Sequence, residues 1–362
     1  MSERLRDRLI EQIRARGPIT FAAYMHAALY DPADGFFAGA PVGETEHFVT
    51  SPHVSPVFGS LLAVQLADAW EALGRPSPFT VVEAGAGDGT LASQIIEAAR
   101  GTEWAPDLRY VCLEQSPVAR GAIGARDLVA AATIDEAAPE PVTGVVLANE
   151  LFDNLPFHRV RRDGDRVLEV FVDEREGRLV ETVADASPDA LDAIGAPLQP
   201  GLEQPSSPAA RATATALARI LARGYLIVLD YGFVAGEDPG PVRGYRGQRL
   251  VTDLLADPGG SDITGPVDLD ALADAARAAH LTAWGPVTQR EALGALGYRA
   301  MVQKVRARQA ELERAGRWRE AVSAWNQRGE TSMLIDPAGL GSLKVLAVGT
   351  AGLRPPLAFR GS

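Results

Sequence analysis

Short unbroken apolar runs, each bounded by turn residues and followed by a helical pattern, recur through the middle of this chain and dictate its architecture. FTVVEAG leads through a glycine turn into GTLASQIIEAAR, and LRYVCLEQS is followed by a second helical stretch. VTGVVLANELFDNLP carries a third run, and GYLIVLDYG and LKVLAVG complete the series. Strands that are apolar on both faces and alternate with helices belong to a parallel sheet covered on both sides. The fold class expected is therefore α/β.

The flanks read differently. Residues 3–16 form an amphipathic helix with Leu5, Leu9 and Ile13 on one side, closed by Gly17 and Pro18. Thr20 is placed to cap a short helix, DPADG marks a turn, and a long helix is expected over 57–73 before the boundary signal RPSPF. Residues 1–75 thus make an N-terminal helical segment that can line a cleft. Between 158 and 184 the turn signals RDGD and REGR separate β-rich stretches, as in antiparallel hairpins, and the Pro-, Ala- and Ser-rich residues 185–208 read as a loop. The expected organisation is an α/β domain over 76–157 and 209–362, interrupted by a substrate-side insertion, 158–208. Helices are expected near 208–222, over 268–280 and over 299–327.

Composition narrows the function classes. The 362 residues carry a formal net charge of −12, so no overall field draws the protein to nucleic acid or to anionic lipid, and neither is expected as a partner. No stretch approaches the roughly 20 apolar residues of a membrane helix. The single cysteine, Cys112, lies in the apolar run YVCLE and reads as a core residue. His26, His47, His53, His158 and His280 lack metal-ligand spacing, so no metal is expected. The N-terminus is arginine-rich like a transit peptide, but Glu3, Asp7 and Glu11 are out of place in one, and the expectation is a cytoplasmic protein.

The chemistry concentrates first in VVEAGAGDGTL, residues 81–91. Glycines after the first strand of such a sheet let a ligand approach the backbone, and the following helix offers free N–H groups. A dinucleotide fingerprint needs G-x-G-x-x-G, yet the order here is Gly85, Gly87, Gly89, with Thr90 in the last required place. Glu83 puts a carboxylate at an otherwise apolar strand end, where a pyrophosphate would be repelled and the amino group or sulfonium of S-adenosylmethionine would be welcome. Glu114 ends the next strand, where an acid accepts hydrogen bonds from ribose hydroxyls. Asp88, inside the turn, is either a turn residue or a ligand contact.

The second concentration is NELFDNLP, where the buried run VVLA ends in Asn149, Glu150, Asp153 and Asn154. This is the carboxyl end of the strand beside the cofactor strand. Asn149 is expected to hold the cofactor, and Glu150 and Asp153 to orient the acceptor. Methyl transfer needs a positioned nucleophile and a place for its proton, and an arginine acceptor, with its pKa of roughly 12.5–13.8, calls for paired carboxylates.

Taken in order, FVTSPHVSPVFG (48–59), VVEAGAGDGTL, ANELFDNLP, LDYG (229–232), RGYRGQ (243–248), DIT (262–264) and LIDPAGLGSLKVLA resemble the MidA family of class I S-adenosylmethionine-dependent methyltransferases, which includes the mitochondrial complex I assembly arginine methyltransferase. The resemblance implies a Rossmann-like seven-stranded sheet, S-adenosylmethionine as cofactor, and protein arginine as acceptor in the eukaryotic branch. It also implies that Thr50, Ser51 and Pro52 line the cofactor or acceptor cleft. Acceptor-side positions depart from the pattern: His53 stands where the family has an acid, EHF where it often has GDF, and GPVDL follows DIT without the usual histidine. His53 is the histidine placed to handle a proton. A small-molecule acceptor, a non-catalytic binding module and, less favoured, a nicotinamide-dependent oxidoreductase remain alternative readings, and the oligomeric state is left open.

Overall fold

The computed structural model describes residues 2–39, 50–247 and 249–360, so His47, the EHF segment and Gln248 lie outside the described residues. Seven strands form the central sheet: β1 (Phe79–Ala84), β2 (Leu108–Leu113), β3 (Ala130–Ala131), β4 (Val142–Asn149), β5 (Leu221–Asp230), β6 (Thr282–Thr288) and β7 (Lys344–Gly349). Their order is β6-β7-β5-β4-β1-β2-β3. β1 pairs in parallel with both β2 and β4, β4 with β5, and β2 with β3, whereas β7 runs antiparallel to both its neighbours. Strand order reverses between β1 and β4. The crevice outside their carboxyl ends is where an open sheet of this kind takes ligands.

The strands are apolar on both faces because both faces are covered. Val81, Cys112, Val145, Leu147, Ile227, Leu229, Val345 and Ala347 belong to one core, with Phe58, Leu61, Leu62, Leu66 and Trp70 of a long helix. Val82, Ala84, Val111, Val146, Ala148, Leu226, Val228, Leu346 and Val348 belong to the other, with Leu269, Leu272 and Leu217. The period-2 alternation assigns successive residues of each strand to opposite cores.

The flanking helices are α1 (Ser2–Arg16), α2 (Phe21–Tyr30), α3 (Ser51–Val54), α4 (Val57–Ala72) and α5 (Thr90–Ala99). Thr20 caps α2, its hydroxyl oxygen accepting the N–H of Ala23 at 3.1 Å. The hairpin signals are strands 158–163, 166–175 and 178–185, with Gly164 and Gly177 in the left-handed region at the turns. Residues 19–20 add to this antiparallel sheet by pairing with 171–172. A third core unites the two flanks: Leu5, Leu9, Ile13, Phe21, Tyr24, Met25 and Leu29 pack with Phe157, Val172, Leu179, Leu255 and Ile263.

Three local expectations are corrected. Residues 185–208 are not one loop: Pro188–Asp192 is helical, its cap supplied by Ser187, and Glu203–Ser206 is a strand paired with 158–161. The helix expected over 299–327 is two, α6 (Tyr298–Arg314) and α7 (Trp318–Met333), broken where Gly316 takes φ +72°. Strand β6 was hidden by Gly285 and Pro286, which sit at an irregularity in its pairing with β7.

Candidate functional site

The glycine turn is built by three left-handed residues, Gly85 (φ +70°), Gly87 (φ +55°) and Gly89 (φ +79°), a conformation that L side chains rarely adopt. Gly89 opens α5. At Gly85 a second constraint applies, since a Cβ there would lie 2.9 Å from Leu151 Cδ1. The turn after β1 and the turn after β4 are in direct contact. Glu114 holds the first of them: its carboxylate accepts the N–H of Gly87 at 3.0 Å and that of Ser116 at 2.8 Å. Burial pushes Glu114 above its ordinary pKa, against the pull of these two N–H groups.

Asp88 closes the start of α5 by accepting the N–H of Thr90 at 3.0 Å and its hydroxyl at 2.8 Å, and it accepts Arg126 at 2.8 Å. Burial opposes its ionisation, but the neighbouring His53 and Thr90 outweigh that and hold the carboxyl well below the usual range. His53 Nε2 lies 3.5 Å from Asp88 Oδ1, an ionic distance rather than a formed hydrogen bond, and His53 Nδ1 is 2.7 Å from the Thr50 hydroxyl. Glu83 is 3% exposed and accepts the Tyr110 hydroxyl at 2.6 Å; burial pushes its pKa up to about 8, although that hydrogen bond lowers it. Within the protein its partner is therefore a phenol of the neighbouring strand.

The segment Thr50–His53 spans the crevice as a short helical turn. The Ser51 N–H donates to Glu150 Oε1 at 3.2 Å, and the Pro52 carbonyl accepts Gln94 Nε2, from α5, at 2.7 Å. Glu150 takes φ +51°, costly for a residue with a side chain and a mark of sites where backbone strain is held by the surroundings. Its Oε1 also accepts Asn149 Nδ2 at 3.2 Å. Burial pushes Glu150 up to about pKa 7, against the Ser51 and Asn149 donors. Asn149 Oδ1 is buried without a partner among the described residues.

Asp153 follows in a tight helical turn, 152–154. It is 7% exposed, and its Oδ1 is buried without a hydrogen-bond partner among the described residues. Burial, then the charges of Asp230, Glu150 and Asp262, raise it well above the carboxylate range. Asp230, fully buried at the end of β5, clamps this turn: one oxygen accepts the N–H groups of Leu151 (3.1 Å) and Phe152 (2.7 Å), the other that of Tyr231 (2.9 Å). Asp262 accepts Asn154 Nδ2 at 2.8 Å, and the Tyr30 hydroxyl donates to the Asn154 carbonyl at 3.1 Å.

The structure thus brings the TSPH segment, the glycine turn and the NELFD turn to one crevice. Each of Glu150, Asp230 and Asp262 has a pKa near 7, and such shifts cluster where charge is to be handled. Sequence reasoning passed over Gln94, Arg126 and Tyr30, which reach this crevice through tertiary packing, and Gln289, which packs behind it against the Ser51 hydroxyl. The one signal available was a glutamine set among apolar helix residues, as in TLASQIIEAA.

Comparison with known proteins adds four findings. The profile of a family described as S-adenosyl-L-methionine-dependent methyltransferase matches residues 61–287. The protein arginine methyltransferase NDUFAF7 homolog, mitochondrial, of Drosophila melanogaster is 28% identical over 321 residues, covering 78% of this chain and 73% of that one. The rat protein arginine methyltransferase NDUFAF7, mitochondrial, is 29% identical over 333 residues, covering 80% and 73%. A crystal structure of a candidate methyl transferase from Burkholderia thailandensis, bound to S-adenosyl-homocysteine, superposes with a TM-score of 0.83 at 25% identity, over 100% of this chain and 95% of that one. The cytoplasmic expectation is overturned by the fly and rat relatives, which are named as mitochondrial. Its basis fails physically too: α1 is a packed element with Leu5, Leu9 and Ile13 in the third core, so Asp7 and Glu11 report the solvent face of a helix and not an address.

Proposed function

This chain belongs to the S-adenosyl-L-methionine-dependent methyltransferases, and we propose that within that family it methylates arginine side chains of a protein. The observation that carries the acceptor reading is the pair Glu150 and Asp153: two acids at the carboxyl end of β4, both raised by burial, one with a buried oxygen that no described residue satisfies. A guanidinium presents a rigid fork of donors that matches such oxygens and supplies the charge they lack. The relatives named protein arginine methyltransferases support the same acceptor.

The crevice fits the cofactor that the family requires. The left-handed glycine turn has no side chain at Gly87 to keep a ligand off, and Asn149 Oδ1 is a buried acceptor without a donor among the described residues. Gly85, Gly87, Asp88, Glu114, Asn149, Thr50, Ser51 and Pro52 would hold the cofactor, with Glu114 at its ribose. Glu83, neutral up to about pH 8, would become ionised beside a cationic ligand. When bound, S-adenosylmethionine supplies the electrophilic methyl group.

The chain's own residues do the rest. Glu150 and Asp153 aim the acceptor nitrogen and neutralise its charge, and Glu150, with a pKa of about 7, can accept the proton the nitrogen releases. His53, between Thr50 and Asp88, can hold a proton at the crevice edge. The N-terminal segment and the insertion 158–208, which share a core, form the substrate side of the cleft.

The test is transfer of isotopically labelled methyl from S-adenosylmethionine to lysate proteins, followed by acid hydrolysis. Labelled methylarginine is the expected product. Label confined to small molecules would overturn the acceptor reading, and so would full turnover in both Glu150→Gln and Asp153→Asn.

A further inference from the structure

We infer that Gln289 is a positioning residue for Glu150, acting through Ser51. Gln289 lies outside the crevice lining, at the first position of the helix Gln289–Ala295, where Thr288 and Glu291 form a capping box. It is fully buried, and its backbone N–H donates to the Leu343 carbonyl at 2.6 Å, which fixes its place beside β7. A buried amide that is not part of a core must satisfy both its ends. Here Nε2 donates to the Leu334 carbonyl at 2.9 Å, at the end of α7, and the amide meets the equally buried Ser51 hydroxyl at 3.1–3.2 Å. The adjoining contact, Ser55 Oγ to Thr331 Oγ1 at 2.9 Å, ties the other end of α3 to α7.

The consequence falls on a carboxylate. Ser51 has no freedom to turn, because Gln289 holds its side chain while its N–H donates to Glu150 Oε1 at 3.2 Å. Besides that N–H and Asn149, the groups that act on Glu150 are His53, which favours its charge, and Asp153 and Asp230, which oppose it. Burial raises the carboxylate, and in a pocket so short of positive charge the Ser51 N–H is the foremost of the few groups that offset it. Losing the Gln289 amide releases Ser51, weakens that donor and makes Glu150 a weaker acid. The glutamine is thus a part of the acceptor site that never touches the acceptor.

This inference rests on the role proposed for Glu150, so the experiment separates the two. The full-length protein, labelled with 13C at glutamate Cδ, is titrated by NMR, and the Glu150 resonance is assigned by its loss in Glu150→Gln. In Gln289→Met, which keeps the volume and removes the hydrogen bonds, the Glu150 midpoint should rise by about one pH unit, the size expected from one weakened hydrogen bond to a charged group. Ser51→Ala should shift it in the same direction, and the double variant should shift it no further than the larger single effect. An unchanged midpoint in Ser51→Ala, or additive shifts in the double variant, overturns the inference. Should Gln289→Met fail to fold, the Ser51→Ala midpoint alone decides. Full turnover in Glu150→Gln would instead remove the proposed role of Glu150 and leave the positioning result standing.

Discussion

Replacing Asp230 tests whether the acidic turn after β4 is held from behind. Its carboxylate accepts three backbone N–H groups, from Leu151, Phe152 and Tyr231, at 2.7–3.1 Å, in a position with no solvent exposure. In Asp230→Ala all three donors lose their partner, and a buried unsatisfied donor costs about 1–3 kcal/mol. Against that stands relief: Asp230 is itself raised to about pKa 7 by burial and by the charge of Glu150, and its charge bears on Asp153. Water entering the space left by the carboxyl offsets part of the loss as well. A net destabilisation of about 2–4 kcal/mol is expected. In Asp230→Asn one oxygen survives as an acceptor while the repulsion disappears, so the loss should be about 1–2 kcal/mol. Urea unfolding at pH 8, above the pKa of about 7 to which Asp230 is raised so that it carries its charge, reads both, with slopes checked for constancy so that midpoints can be compared. A loss under about 0.5 kcal/mol in Asp230→Ala, or an asparagine variant no better than the alanine one, would refute the clamp.

Other outcomes follow from the same geometry. Gly85→Ala must adopt φ +70° and bring a Cβ to 2.9 Å from Leu151 Cδ1, so S-adenosylmethionine affinity measured by calorimetry should fall at least about tenfold, the equivalent of 1.4 kcal/mol. The kcat/KM should rise with pH through about 7 as Glu150 of the free enzyme ionises, and the pH–rate profile of Glu150→Gln should lose that limb. Stability runs the other way. The folded protein keeps on Glu150 a proton that the unfolded chain releases near pH 4.5, so stability present below about pH 4.5 is lost as pH rises to about 7; Glu150→Gln should flatten that part of the curve in denaturant titrations. Tyr110→Phe removes the hydrogen bond to Glu83 at 2.6 Å and should cost about 1–3 kcal/mol in chemical unfolding.

Features written in local pattern were legible in the sequence. The runs VVEA, YVCL and VVLA are strands because each alternates between two covered faces, and Gly85, Gly87 and Gly89 announce a turn that only left-handed residues can make. The α/β sheet with helices on both faces, and the S-adenosylmethionine-dependent chemistry expected of it, stand. Features decided by distant packing were not legible. Gly285 and Pro286 disfavour a strand locally, yet pairing with β7 overrides them. The polar residues around 203–206 read as loop, but register with 158–161 makes them an edge strand. In the site, Glu150 and Asp153 could be singled out because acids after a buried run are conspicuous. Gln94, Gln289 and the clamp of Asp230 could not be assigned, because a glutamine or a strand-end aspartate acquires a role only from the backbone groups that folding brings to it.

The third core has a consequence in time. Its side chains come from Leu5 to Phe36, then from Phe157 to Leu179, and finally from Leu255 and Ile263. A ribosome emits the chain from its N-terminus, so α1 and α2 wait with their apolar faces uncovered until the hairpins appear, and the last pieces arrive when residue 263 of 362 has been made. Contacts so far apart in sequence form late and slowly. Helices α1 and α2 are thus buried long after they are made, and during synthesis they depend on whatever shields apolar surface in the nascent chain.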